Sequence, residues 1–280
     1  LCEPERKNTA PCIAYAAHKI SDLNANANLI VAPSDHLILD ENAFVSIINT
    51  AIETAQAGQI VTLGIKPSRP DTGYGYIEFD ASSGTDIGSV KDVVKFTEKP
   101  DLEKAKQFVA SGNYYWNSGI FIWKASTVIN GLEQFQPAIH DLFCSKGNDY
   151  NTGSEQEFVN HAFREVESIS IDYALLEPSD NISVVLSDFG WSDLGTWGSL
   201  YTHLHHDENG NAVIGDKVNL FESSNCIVNV PNGKKVVLQG LDDYIVVESN
   251  NTLMIIKKQD EQKIKQFVND IKTNKSDQYV

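Results

Sequence analysis

Basic residues are scarce in this 280-residue chain: 22 lysines and arginines stand against 38 aspartates and glutamates, a formal net charge of −16. That sign excludes a general nucleic-acid surface, which needs a basic footprint to displace counterions from phosphates. A single phosphate-bearing small molecule can still be held in a locally positive pocket. Cysteines are few, and Cys2, Cys12, Cys144 and Cys226 show neither the spacing of a disulfide framework nor that of a zinc site. They read as idle thiols of a cytoplasmic protein. No apolar run approaches membrane-spanning length, so no membrane partner is expected. Also missing are a Gly-x-x-x-x-Gly-Lys-Ser/Thr phosphate loop and any evident nucleophilic Ser, Cys or His.

What is present begins with alternating strands and helices. Asn28 to Pro33 is a short continuous apolar run, the pattern of a strand buried on both faces. Asp40 then suits a helix N-cap, with Phe44, Ile47, Ile48, Ala51, Ile52 and Ala55 on one face and Gly58 as the stop. Ile60 to Ile65 reads as a second buried strand, so the three together predict a βαβ unit with parallel strands. Upstream, Thr9 and Pro11 read as the cap and first turn of a helix. Further on, Asp101 caps a helix that turns Leu102, Ala105, Phe108 and Val109 inward and ends at Gly112, and Ser183 to Leu186 gives another strand. After about Asn209 the texture changes to short strands, at Cys226 to Val230, Val236 to Leu238, Tyr244 to Val247 and Leu253 to Ile256. Gly, Pro and Asn punctuate them, and an amphipathic helix on Ile264, Phe267, Val268 and Ile271 closes the chain. The expected domains are 1–208, an α/β domain, and 209–280, a small β module ending in that helix.

Candidate chemistry sits beyond strand ends, where ligands of open sheets bind. Asp35 follows the first strand, and a carboxylate there can reach a divalent metal or simply shape an Asx-turn. Gly64 to Ile77 is a loop with two cations and several glycines, which lets a ligand approach the backbone, with Tyr74 or Tyr76 to flank a ring. Glu98 and Lys99 put a carboxylate and an ammonium side by side, one suited to sugar hydroxyls and the other to phosphate. Asn117 lies among small residues between aromatics, which suits hydroxyl recognition or a plain strand edge. Asp193, between glycines, is a second carboxylate that could converge with Asp35 on one magnesium. His203, His205 and His206 fit a solvated turn better than a metal site.

Seven segments in order resemble those of bacterial mannose-1-phosphate guanylyltransferases. They are Glu3 to Pro11 (with Lys7 in place of the usual Arg), Pro33 to His36, Gly73 to Ile77, Phe96 to Pro100, Trp116 to Phe121, Ser170 to Tyr173 and Gly190 to Trp197. The resemblance implies an α/β nucleotide-diphospho-sugar transferase fold, a Rossmann-like mixed sheet with helices on both faces, followed by a small β-helix-like domain. It implies transfer of a guanylyl group from GTP to mannose 1-phosphate, giving GDP-mannose and pyrophosphate. It places Glu3, Asn8 and Thr9 near the guanine nucleotide, Mg²⁺ on Asp35 and Asp193, Gly75, Glu98, Asn117 and Asp172 facing the mannose, and Lys99 on its phosphate. No mannose-6-phosphate isomerase segment follows, which resembles the monofunctional type, and a homodimer fits the final helix and β module.

One departure accompanies the likeness. The family's glycine-rich loop, with its Arg and Pro-Lys, belongs upstream of Leu1, so the resemblance implies that these 280 residues alone have little transferase activity. Rival readings are a non-catalytic sugar-nucleotide-binding or regulatory module and a transferase for another sugar 1-phosphate. A β-helix acyltransferase is disfavoured because the β module is short and lacks a hexapeptide repeat.

Overall fold

Ile60-Val61-Thr62-Leu63-Gly64-Ile65 lies in the middle of a sheet because nearly every side chain in it is apolar or small, and its first five residues are buried. The computed structural model describes residues 1–82, 84–144 and 149–274. Two compact units divide the chain, one of Leu1–Ser34 with Ile38–Trp191, the other of Asp35–Leu37 with Ser192–Val280.

In chain order the elements up to the start of the second unit are α1 (Thr9–Leu23), β1 (Asn28–Val31), the short β2 (Leu37–Ile38), α2 (Glu41–Ala55), β3 (Ile60–Ile65), β4 (Tyr76–Phe79), β5 (Val90–Thr97) and α3 (Leu102–Ser111). There follow β6 (Tyr114–Lys124), α4 (Ala125–Phe135), α5 (Pro137–Phe143), α6 (Glu155–Glu165), a π-helical turn (Asp172–Leu176), β7 (Ile182–Ser187) and the short β8 (Trp191–Ser192). The caps expected at Asp40 and Asp101 form: Asp40 Oδ1 accepts from Ala43 N at 2.9 Å, and Asp101 Oδ1 from Lys104 N at 2.9 Å. Helix α1 starts one residue earlier than the sequence suggests. Asn8, not Thr9, is the cap, and its side chain accepts from Thr9 N.

The main sheet runs β1-β6-β3-β7-β5-β4, with the long β6 also pairing with β4. Only β3 and β7 pair in parallel; the other pairs in this sheet are antiparallel. The expected βαβ unit is therefore modified. Strands β1 and β3 do run the same way, but β6 lies between them, antiparallel to both. Strand β1 is an edge strand, and of its residues Leu29 alone is buried while Ile30 is 49% exposed. Its apolar run therefore overstated its burial.

Helices cover both faces. Helix α2 packs Ile47, Ile48, Ala51 and Ala55 on Val61, Leu63, Ile120, Ile122 and Val185. The other face holds the larger core, where α1, α4, α5 and α6 meet Leu29, Ile60, Phe121, Trp123 and Ile182. Leu102, expected inward, is exposed in the first turn of α3, whose buried residue is Ala105.

The second unit contains α7 (Trp197–His203), β9 (Ala212–Ile214), β10 (Val218–Phe221), β11 (Ile227–Asn229), β12 (Val236–Gln239), β13 (Tyr244–Ser249), β14 (Thr252–Lys257), a 3-10 turn (Lys258–Lys263) and α8 (Ile264–Asn274). Successive coils stack in parallel: Ala212, Ile227 and Ile245 align across β9, β11 and β13, and Val218 aligns with Val236 across β10 and β12. Buried Asn211 ties two coils together, donating to the Ser223 carbonyl at 2.9 Å and accepting from Cys226 N at 3.0 Å. The strands β9 and β10 have no counterpart in the sequence reading.

Candidate active site

A bulge in β6 shapes the centre of the first unit's site. Between the pairs Thr62–Phe121 and Gly64–Asn117, Leu63 alone lies opposite Ser118, Gly119 and Ile120. Gly119 sits at φ 72°, a left-handed conformation that glycine adopts without steric cost. Bulges re-aim side chains, and this one sets Asn117 at the hub of a network. Its Oδ1 accepts from the Thr62 hydroxyl at 2.9 Å and from Gly119 N at 3.3 Å. Its Nδ2 donates to Asp172 Oδ1 at 3.1 Å, and its backbone N–H donates to the Gly75 carbonyl at 2.8 Å.

Gly75 meets Glu98 as well as Asn117. A Cβ at position 75 would fall 2.6 Å from Glu98 Oε2 and 3.5 Å from Asn117 Cβ. Glu98 in turn is paired with Lys99, whose backbone is left-handed at φ 43°. The structure thus brings together Gly75, Glu98, Lys99, Asn117 and Asp172, from four separate sequence motifs. Burial and the nearby Glu98 carboxylate push the Asp172 pKa up to about 6, against the opposing pull of Lys99 and the Asn117 amide. Burial pulls Lys99 down, but Glu98, Asp172 and Tyr173 more than offset it and its pKa ends above the ordinary lysine value. Two carboxylates and an amide can exchange hydrogen bonds with hydroxyls, while the Lys99 head, largely exposed, is free to turn to an anion.

Other expected site residues lie elsewhere in this unit. Tyr76 is fully buried, packs its ring at a tilt against Phe108, and donates its hydroxyl to the Asp71 carbonyl at 2.9 Å. Tyr74 is likewise packed between Trp116 and Trp191, so neither ring is open to flank a ligand. Thr9 Oγ1 accepts from Ile171 N at 2.8 Å and Ala10 N donates to the Ile169 carbonyl, which ties the start of α1 to the segment leading into Asp172. Glu3 lies against Cys12, whose thiol is pushed up to about 11 by burial and then by Glu3. Of the loop cations, Arg69 is bonded to buried Asp71 at 2.7 Å and lies 5.4 Å over the Trp116 ring, while Asp71 also accepts from Gly73 N. It braces the loop.

In the second unit, Asp35 and Asp193 stand in one compact body despite their separation in sequence. Both act electrostatically on the His36 ring, raising its pKa against a larger depression by burial. Asp193 Oδ1 also accepts from Gly195 N at 3.1 Å. Among the described residues, no group of three or more His, Cys, Asp or Glu side chains is arranged to hold a metal ion. Magnesium commonly takes one or two carboxylates and fills the rest of its shell with phosphate oxygens and water.

Sequence reasoning missed Thr62, hidden in an apolar run, and the exposed Tyr173 beside Asp172. The available signal for Thr62 was a lone hydroxyl in a strand otherwise built of Ile, Val, Leu and Gly.

Residues 1–210 match the Nucleotidyl transferase family, and residues 215–271 the MannoseP isomerase/GMP-like beta-helix domain. The Xanthan biosynthesis protein XanB of Xanthomonas campestris is 39% identical over 98% of this chain and 57% of its own length. A Mannose-1-phosphate guanylyltransferase of Escherichia coli is 36% identical over 98% of this chain and 58% of its own. The chain thus spans a little over half the length of these relatives. A solved Thermus thermophilus structure, described as a mannose-1-phosphate geranyltransferase, superposes with a TM-score of 0.81 at 26% identity, covering 97% of this chain and 77% of the other. With an α/β sheet domain, a β-helix-like module ending in a helix, and a family match over residues 1–210, the chain belongs to the nucleotidyl transferase family.

Proposed function

We propose that this chain binds and aligns the reactants of guanylyl transfer, from GTP to mannose 1-phosphate, giving GDP-mannose and pyrophosphate. The observation that carries the reading is the convergence of Gly75, Glu98, Lys99, Asn117 and Asp172 on one patch of the first unit. Relatives named for mannose-1-phosphate guanylyltransfer support the choice of sugar and base.

In this reaction a phosphate oxygen of mannose 1-phosphate bonds to the α-phosphorus of GTP while the bond from that phosphorus to the bridging oxygen breaks, releasing pyrophosphate. The attacking oxygen is already anionic, so no side-chain nucleophile is required. The chain's work is to align an in-line displacement. Glu98 and Asp172 accept hydrogen bonds from sugar hydroxyls, with Asn117 setting the Asp172 carboxylate. Gly75, having no side chain, leaves room for the Glu98 carboxylate. Lys99 exchanges its Glu98 partner for the sugar phosphate and holds the attacking group. Glu3, Asn8 and Thr9 form the guanine side. Asp35 and Asp193 would hold Mg²⁺, which when bound neutralises charge developing on the phosphates.

Calorimetric titration of the chain tests this, because the residues named act by binding. GDP-mannose and mannose 1-phosphate are expected to bind more tightly than UDP-glucose and glucose 1-phosphate. Lys99→Met should weaken mannose 1-phosphate by roughly tenfold or more while leaving the neutral sugar unaffected. Equal affinity for both sugars, or indifference to Lys99→Met, overturns the reading.

A further inference from the structure

We infer that Thr62 is a positioning residue for the sugar-phosphate site: its hydroxyl fixes which end of the Asn117 amide faces Asp172. This deepens the cradle reading above and rests on it for its functional meaning.

Thr62 is 1% exposed, in the centre of β3 between β6 and β7. Its neighbours along the strand are Val61 and Leu63, and across the sheet Phe121 and Val184. A valine would fill the same space without burying a hydroxyl, which is unfavourable in an apolar setting unless it is hydrogen-bonded. The hydroxyl has two acceptors in reach, Asn117 Oδ1 at 2.9 Å and the Ile120 carbonyl at 3.3 Å, of which Asn117 is the nearer.

The two ends of an asparagine amide are alike in shape and opposite in polarity. Left to itself, Asn117 could present either end to Asp172. The N–H of Gly119, which can only donate, marks one end as the oxygen, and the Thr62 hydroxyl donates to that same end. The NH₂ group is then left to donate to Asp172 Oδ1 at 3.1 Å. The reversed amide would set an oxygen against a carboxylate and favour its protonated form. A protonated Asp172 is a donor where the ligand needs an acceptor. Burial and Glu98 already work against the ionised form of Asp172, and the amide donor adds to the backbone hydrogen bond and Lys99 in keeping it an acceptor. Thr62 therefore acts on the ligand through Asn117 and Asp172 without touching it.

Two measurements on the full chain test this. In titrations with mannose 1-phosphate, Thr62→Val should weaken binding about tenfold, the scale of one lost hydrogen bond. Thr62→Ser, which keeps the hydroxyl on a smaller side chain, should restore most of it. In an Asn117→Ala background, Thr62→Val should add no further loss. Separately, in the ligand-free chain, the Asp172 carboxyl followed by carbon NMR should titrate above its native value of about 6 in Thr62→Val and return in Thr62→Ser. An unmoved Asp172 titration overturns the inference, as does an undiminished Thr62→Val effect without Asn117 or a failure of serine to rescue. If the native chain does not bind mannose 1-phosphate at all, the functional reading falls, and the NMR titration still decides whether Thr62 orients the amide.

Discussion

A methyl group added at position 75 would arrive 2.6 Å from Glu98 Oε2 and 3.0 Å from Phe96 Cζ. Glu98 Oε2 is the far end of a flexible side chain, so the carboxylate can swing away at small cost to the fold. Gly75→Ala should therefore leave the melting temperature nearly unchanged yet weaken mannose 1-phosphate by about an order of magnitude, since it displaces the carboxylate proposed to face the sugar. A large loss of stability with intact affinity would contradict this. The types and motif positions of Gly75, Glu98, Lys99, Asn117 and Asp172 were legible in the sequence. Their roles were not legible from spacing, because the contacts between them depend on a bulge that no local pattern encodes. Arg69 shows the opposite failure. It reads as one of two loop cations, but Asp71, two residues on, is buried and binds it. Tyr76 fails similarly, since alternation cannot tell a ligand-facing ring from one packed against Phe108.

At the scale of elements, what the sequence discloses are the boundaries set by local chemistry. Asp40 and Asp101 cap α2 and α3 as expected, and Gly112 ends α3 at φ 78°. Asp40→Ala leaves the Ala43 N–H without its side-chain acceptor, and should lower stability by ~1 kcal/mol in denaturant unfolding with an unchanged m-value. A loss below a few tenths of that would mean that water or another group replaces the cap. Pairing was less legible. Strands β1 and β3 are near in sequence and suggest neighbours, yet β6 inserts between them from more distant sequence. Its apolar and aromatic residues complete both cores at once, with Ile120 and Ile122 on the α2 side and Phe121 and Trp123 on the other. That gain is non-local, so a window of ten residues cannot register it. In the second unit β9 and β10 escaped notice because single coils bury too little to show a period. Ala212 is buried while Val213 and Ile214 are exposed, and only stacking on β11 makes the segment a strand.

For the molecule as a whole, acidification sets a buried histidine and a half-buried aspartate of the first unit against each other. His18 is 9% exposed, lies 5.5 Å from the His140 ring, and its Nε2 has no hydrogen-bond partner among the described residues. Burial first, then His140, hold its pKa down at about 4. The unfolded chain therefore binds the His18 proton more readily, and stability falls as pH drops from about 6.5 toward 4. Asp172 behaves in the reverse sense. Its folded pKa of about 6 lies above the ordinary carboxylate value, so the fold takes up that proton first and gains stability as pH falls through the same interval. The two effects oppose each other over this interval. Exposed carboxylates with lowered pKa values, such as Asp101 and Asp242, lose their contribution only at lower pH. Native stability should thus change less between about pH 6.5 and 4.5 than that of a variant lacking either group. Asp172→Asn should expose the histidine, with a melting temperature that falls across this range, and His18→Gln should expose the aspartate, with one that rises. Melting curves with the same pH slope in all three proteins would show that neither group governs the balance. Opposite slopes would show that His18 and Asp172 govern the acid stability of the fold in opposite senses.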